Sequence, residues 1–156
     1  MFELKPLSKD AFDRSLEKAQ HYRLLGDGTM AESICRDLLA LEPNHQKVLE
    51  GLLLALTDQF GVRNGAVTDA LEVLTKIEAE YKKAYLRGLI YERHAMSRFQ
   101  RGGPGSGYAA YCSLRKAMDW YEKAEGQSVD GNDDAILRWN TCARIIDRNA
   151  SIEPAH

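Results

Sequence analysis

The sequence predicts an all-α domain. Apolar residues recur at intervals of three and four along nearly the whole chain, the period of a helix with one buried face. No segment combines strict apolar–polar alternation with Val, Ile and Thr enrichment, as a half-buried strand would. Glycine- and proline-centred breaks cut the pattern into about seven pieces of helical length. The length of 156 residues is that of a single domain, residues 1–156, and 44% hydrophobic with 28% charged residues is the balance of a folded chain with a core.

The first helix is expected from about Lys9 to Leu25, with Phe12, Leu16, Ala19, Tyr22 and Leu25 at helical spacing until Gly26-Asp27-Gly28 stops it. Thr29 followed by Glu32 has the spacing of a capping box, which places the second helix from there to Leu41. Pro43 lacks an amide hydrogen and ends that stretch, and Asn44 is the expected cap of a third helix running through Gln59. The turn Gly61 to Gly65 precedes a fourth helix, about Val67 to Glu78, with the stripe Ala70, Leu71, Leu74 and Ile77. A fifth helix, Glu80 to Arg101, reads as the longest; the single glycine within it, Gly88, weakens a helix and so needs a packing reason. The segment GGPGSG, Gly102 to Gly107, breaks the pattern as a hinge, and a sixth helix runs from about Tyr108 to Glu125. Beyond Gly126 to Gly131, Asn132 is the expected cap of a seventh helix, whose first turn holds Asp133 and Asp134 and whose end holds Arg144 and Arg148, as its dipole favours. Ile136, Trp139, Ala143 and Ile146 are expected to face inward from it, and the tail SIEPAH to fray.

A repeat is visible within these helices. From Phe12 to His45 a 34-residue frame carries Ala19, Tyr22, Gly26-Asp27, Ala31, Cys35, Leu38, Leu41 and Pro43. Gly88 and Tyr91 repeat the spacing of Ala19 and Tyr22, while Ala117, Tyr121 and Ala124 repeat the second-helix pattern. This grammar resembles the tetratricopeptide repeat (TPR). Ser15, where a large aromatic is common, Cys35, in place of an aromatic, and Leu38, in place of a small residue, depart from it. The resemblance implies antiparallel helix pairs stacked as a short right-handed superhelix. Its units would be about 12–45, 46–80 and 81–126, closed by a capping helix at about 132–148; a compact non-repeat bundle is the alternative.

The residues that could carry chemistry are scattered. His21, His45, His94 and His156 have no HExxH or paired-cysteine spacing, and Cys35, Cys112 and Cys142 are too far apart for a zinc motif or a disulfide framework. GGPGSG lacks the Lys-Ser or Lys-Thr of a phosphate loop. A non-catalytic protein with no cofactor and no metal is therefore expected. The start has no apolar run of signal-peptide length and no segment long enough to span a bilayer, so a cytoplasmic location without a membrane partner is expected. A net charge of −2 gives no general reason for nucleic-acid binding. The charge is uneven: residues 1–78 hold nine basic and thirteen acidic residues, residues 79–156 twelve and ten. Lys82, Lys83, Arg87, Arg93, Arg98 and Arg101 all fall on the fifth helix, with Arg87 and Arg98 on a different face from Arg93.

In the resembled family the first helix of each pair lines a concave surface that takes an extended or helical peptide. Carried through the frame, that surface selects Leu16, Gln20 and Arg23, then Leu54, Thr57 and Asp58, then Tyr85, Leu89, Glu92 and Arg93. Of the positions that clamp a terminal carboxylate in chaperone-binding members, Lys82 alone keeps its basic residue; Leu16, Gln20, Gly51 and Leu86 occupy the others, so that ligand is not implied. The expectation is a protein–protein interaction module or scaffold that binds a partner segment in a helical groove. The alternative is a self-assembling helical subunit, a homo-oligomer with no peptide ligand.

Overall fold

A 3-10 turn, Lys9–Ala11, leads into α1, Phe12–Leu24, followed by α2, Gly28–Leu41, α3, Gln46–Thr57, α4, Ala66–Leu74, α5, Glu80–Arg101, α6, Ser106–Glu125, and α7, Asp134–Arg148. These elements belong to a computed structural model that describes residues 1–154, and those residues contain no strand. The fifth helix has the bounds its pattern predicts. His156 lies outside the described residues.

Two helix starts differ from the sequence reading, because in each a neighbouring side chain accepts a first-turn amide. Asp27 caps α2, its Oδ1 accepting the Met30 amide at 3.0 Å. Thr29 already lies within the helix, and Glu32, the supposed box partner, is buried and drawn sideways to Arg36 and Arg63. At α3 the cap is His45, whose Nδ1 accepts the Val48 amide at 3.3 Å while its ring packs on Phe12. At α7 the position before the helix is Asp133, and Asn132 reaches over it to accept the Asp134 amide at 3.1 Å.

Consecutive helices pack against one another, and α1 also reaches α3 as α3 reaches α5, so α1, α3 and α5 are neighbours as well. One core cluster is built from α1 through the first half of α5, with Leu38, Leu49, Leu52, Leu53, Leu56, Leu86 and Leu89 at its centre. A second joins α5, α6 and α7 around Ala95, Leu114, Ala117, Tyr121 and Cys142; Tyr85 packs against both. The reason for Gly88 is there: a Cβ on it would stand 2.6 Å from Cε1 of Tyr121, so the bare backbone lets that ring come close against α5.

Three further expectations are corrected. The fourth helix stops at Leu74, and Leu71 is 47% exposed because the inward stripe is Ala70, Val73 and Leu74. On α7 Trp139, Ala143 and Ile146 face inward as expected, joined by Ala135, Cys142 and Ile145, whereas Ile136 is exposed beside Leu137. The tail folds back where fraying is expected: Ile152 is 3% exposed in the second core, and the Ser151 carbonyl lies against Gly107.

Candidate partner-binding site

Between α1 and α3 an open cleft of about 460 Å³ is floored by Leu16, Ala19, Cys35 and Leu54. Helical spacing produces it: Leu16, Ala19, Gln20 and Arg23 recur at three and four along α1, and Lys47, Glu50, Gly51 and Leu54 do so along α3. Gly51 keeps the cleft open. A methyl group there would touch only Sγ of Cys35, at the ordinary distance of 3.6 Å, so nothing in the backbone demands glycine. Leu24, 85% exposed, stands at the mouth.

The rim is charged. Arg23 donates from Nε to Asp58 Oδ2 at 2.7 Å, and Arg93 reaches the other oxygen of Asp58 at 3.4 Å, so one carboxylate at the end of α3 links α1 to α5. Lys82 pairs with Glu50 at 2.9 Å. Lys47 enters no ion pair among the described residues, which leaves Arg23, Lys47 and Lys82 on the lining against Glu50 alone. Burial pushes the Cys35 thiol up to about 11, so the sulfur in the floor is neutral and apolar near pH 7. The arrangement can hold an aliphatic or aromatic side chain in a soft pocket while its neighbours meet a basic rim.

Of the positions selected by the sequence, Leu16, Gln20, Arg23 and Leu54 line the cleft, and Asp58 and Arg93 close one end of it. The others face elsewhere. Thr57 is buried and donates its hydroxyl to the Leu54 carbonyl. Tyr85 stacks on Tyr81 and tilts against Tyr121, with centroids 5.9 and 5.8 Å apart. Leu89 is in the core. Glu92, 4% exposed, accepts from the Tyr121 hydroxyl at 2.8 Å, from Arg138 at 3.0 Å and from the Cys142 thiol at 3.5 Å. Burial, and then the Glu92 charge, raise both the Tyr121 hydroxyl and the Cys142 thiol above their usual ranges, so both keep their protons. Burial opposes the charge on Arg138, but Glu92 and Tyr85 outweigh it and hold the guanidinium charged. The sequence reading missed Lys47 and Glu50, although their spacing to Leu54 places all three on one face of α3.

The remaining candidates have other surroundings. His45 caps α3, His21 is exposed, and His94 is edge-on to Phe60. Cys112 is half-buried near the start of α6. No three His, Cys, Asp or Glu side chains converge as metal ligands among the described residues, and no described helix is long and apolar enough to cross a membrane. A scan against protein-family models and searches of curated proteins and of solved structures found nothing that matches this chain.

Proposed function

We propose that the chain is a non-catalytic protein-interaction module, a TPR-like stack of helix pairs that receives a segment of a partner protein in the cleft between α1 and α3. The observation that carries this reading is the cleft itself, apolar in its floor, basic at its rim and open to solvent. Neighbouring α1, α3 and α5 support the stacked-pair arrangement, as do Ala19, Ala31 and Cys35, each nearly fully buried where the repeat frame expects a packed residue. The module works in the cytoplasm and needs no cofactor.

Gly51→Leu tests the proposal, because it fills the floor from a helical position whose backbone tolerates a side chain. Partners captured by the native protein and identified by mass spectrometry are expected to include at least one whose affinity for Gly51→Leu falls tenfold or more at unchanged helicity. Identical affinities for both proteins would end the groove reading.

A second reading is favoured by the exposed apolar side chains of the first and last helices, Leu24 on α1 and Ile136 and Leu137 on α7. Copies of the chain could join through those ends. Sedimentation at rising concentration decides it, and a mass that stays that of one chain removes this alternative.

A further inference from the structure

We propose that the outward face of α5, continued by α6, is a second binding surface, and that it takes an acidic segment of a partner protein. Lys83, Arg87, His94, Arg98 and Arg101 recur at intervals of three, four and seven, which puts them on one stripe of α5. At about 1.5 Å per residue the stripe is ~27 Å long. The one acidic residue between its ends, Glu92, is turned inward and buried. Lys82 and Arg93, on the groove side of the same helix, are satisfied by Glu50 and Asp58. Among the described residues, no ion pair is made by Lys83, Arg87, Arg98 or Arg101, or by Lys116 and Lys123 of α6. Four of the five stripe residues are therefore uncompensated cations on a chain whose net charge is −2, and carboxylates are the complement they lack.

Its two ends favour a polypeptide over other polyanions. At one end the Arg87 guanidinium and the Lys123 ammonium each lie 4.6 Å from the Trp120 ring centroid, and Lys116 lies 5.8 Å from that of Tyr91. The aromatic surfaces a nucleobase would stack on are already engaged by cations, which in turn are held in place for an incoming carboxylate. No large apolar side chain is exposed on α5 or α6 among the described residues, so nothing there would insert into a bilayer. At the other end a recess of about 300 Å³ between the start of α4 and the end of α5 is lined by Thr68, His94, Ser97, Arg98 and Arg101, room for one acidic side chain with hydroxyl and guanidinium donors around it. The exposed acids at the margin, Glu80 and Asp119, leave the cations in excess.

A labelled oligoglutamate peptide is the probe, read by fluorescence anisotropy. Binding is expected at low salt and should weaken as salt rises. Arg98→Glu/Arg101→Glu, two exposed side chains, should lower affinity tenfold or more, and so should Arg87→Glu/Lys123→Glu. The same charge change on α1, Arg14→Glu/Lys18→Glu, should do much less, and Gly51→Leu should leave the affinity unchanged, which separates this surface from the cleft. The proposal is overturned if oligoglutamate fails to bind the native protein at low salt, or if the α1 reversal is as damaging as the α5 reversals. It is equally overturned if oligothymidylate or phosphatidylserine vesicles bind the stripe more tightly than oligoglutamate. A dimer in sedimentation that the α5 reversals dissolve would make the stripe a contact between copies and overturn it too.

Discussion

A methyl group on Gly88 would meet the Tyr121 ring at 2.6 to 3.1 Å, whereas one on Gly51 would meet a single sulfur at 3.6 Å. The two glycines thus predict opposite outcomes in urea denaturation. Gly88→Ala should lose about 1–3 kcal/mol through overpacking, while Gly51→Ala should be neutral or gain up to about 1 kcal/mol, since alanine is the better helix former. The cysteines divide in the same residue-by-residue way. Cys35 and Cys142 are buried and held as thiols while Cys112 is half-buried, so a disulfide-exchange reagent should titrate one fast thiol in the native protein and three after denaturation; three fast thiols would contradict the burial. His94 carries the pH dependence. Burial, and then Arg98 and Arg101, lower its pKa from 6.5, so the unfolded chain takes up this proton more readily than the folded one. Its contribution favours the fold above that value and is lost as pH falls through and below it. His94→Gln should therefore lose less stability than the native protein between about pH 7 and about pH 5. At this scale the sequence was legible where a side chain acts on its own turn, as in the glycine-marked breaks. It misled at Thr29 and Asn44, where Asp27 and His45 accept the first-turn amides, and at Glu32, whose partner Arg63 comes from the turn before α4.

Among the elements, α7 depends most on side chains that lie far away in sequence. Its docking onto α5 and α6 centres on Glu92, which gathers Arg138 and Cys142 of α7 and Tyr121 of α6. Glu92→Ala would leave a guanidinium without its counter-charge and a buried hydroxyl without an acceptor, at a cost of about 3–5 kcal/mol. Adding Arg138→Met should recover part of that loss in thermal denaturation, because the stranded charge is removed; a double variant no better than the single would show that the ion pair is not what holds the helix. This centre also explains how much of the candidate site the sequence could reveal. The repeat frame found the open positions of α1 and α3, where local spacing decides which face is outward. On α5 it selected Leu89 and Glu92, which the core and α7 cover, and no local pattern announces that a helix almost fifty residues onward will supply Arg138. The length of α5 was readable because loop signals flank an unbroken pattern; the early end of α4 was not, since Ile77 is buried just beyond the helix and sustains the period in the turn.

Across the whole molecule, the two core clusters differ in what they bury. Nine leucines stand among the buried residues of the first, while six of the eleven in the second are alanines with one leucine. Less apolar area leaves water per residue in the second, so it is the less stabilised half. Amide exchange under native conditions should accordingly proceed in α6 and α7 through openings of lower free energy than in α2 and α3; uniform protection would contradict the difference. The folded-back tail adds a mechanical consequence. Asn149 donates to the Ile145 carbonyl at 2.8 Å, the Ile152 amide reaches Asn149 at 2.9 Å, and Ser151 bears on Gly107 at the root of α6. A pull applied beyond Pro154 is thus delivered first to the seat of Ile152 and the base of α6, in shear, before it can peel α7 turn by turn. Stretched as a single molecule from that side, the chain should resist and then yield in one abrupt step; a gradual release of α7 without that step would contradict it.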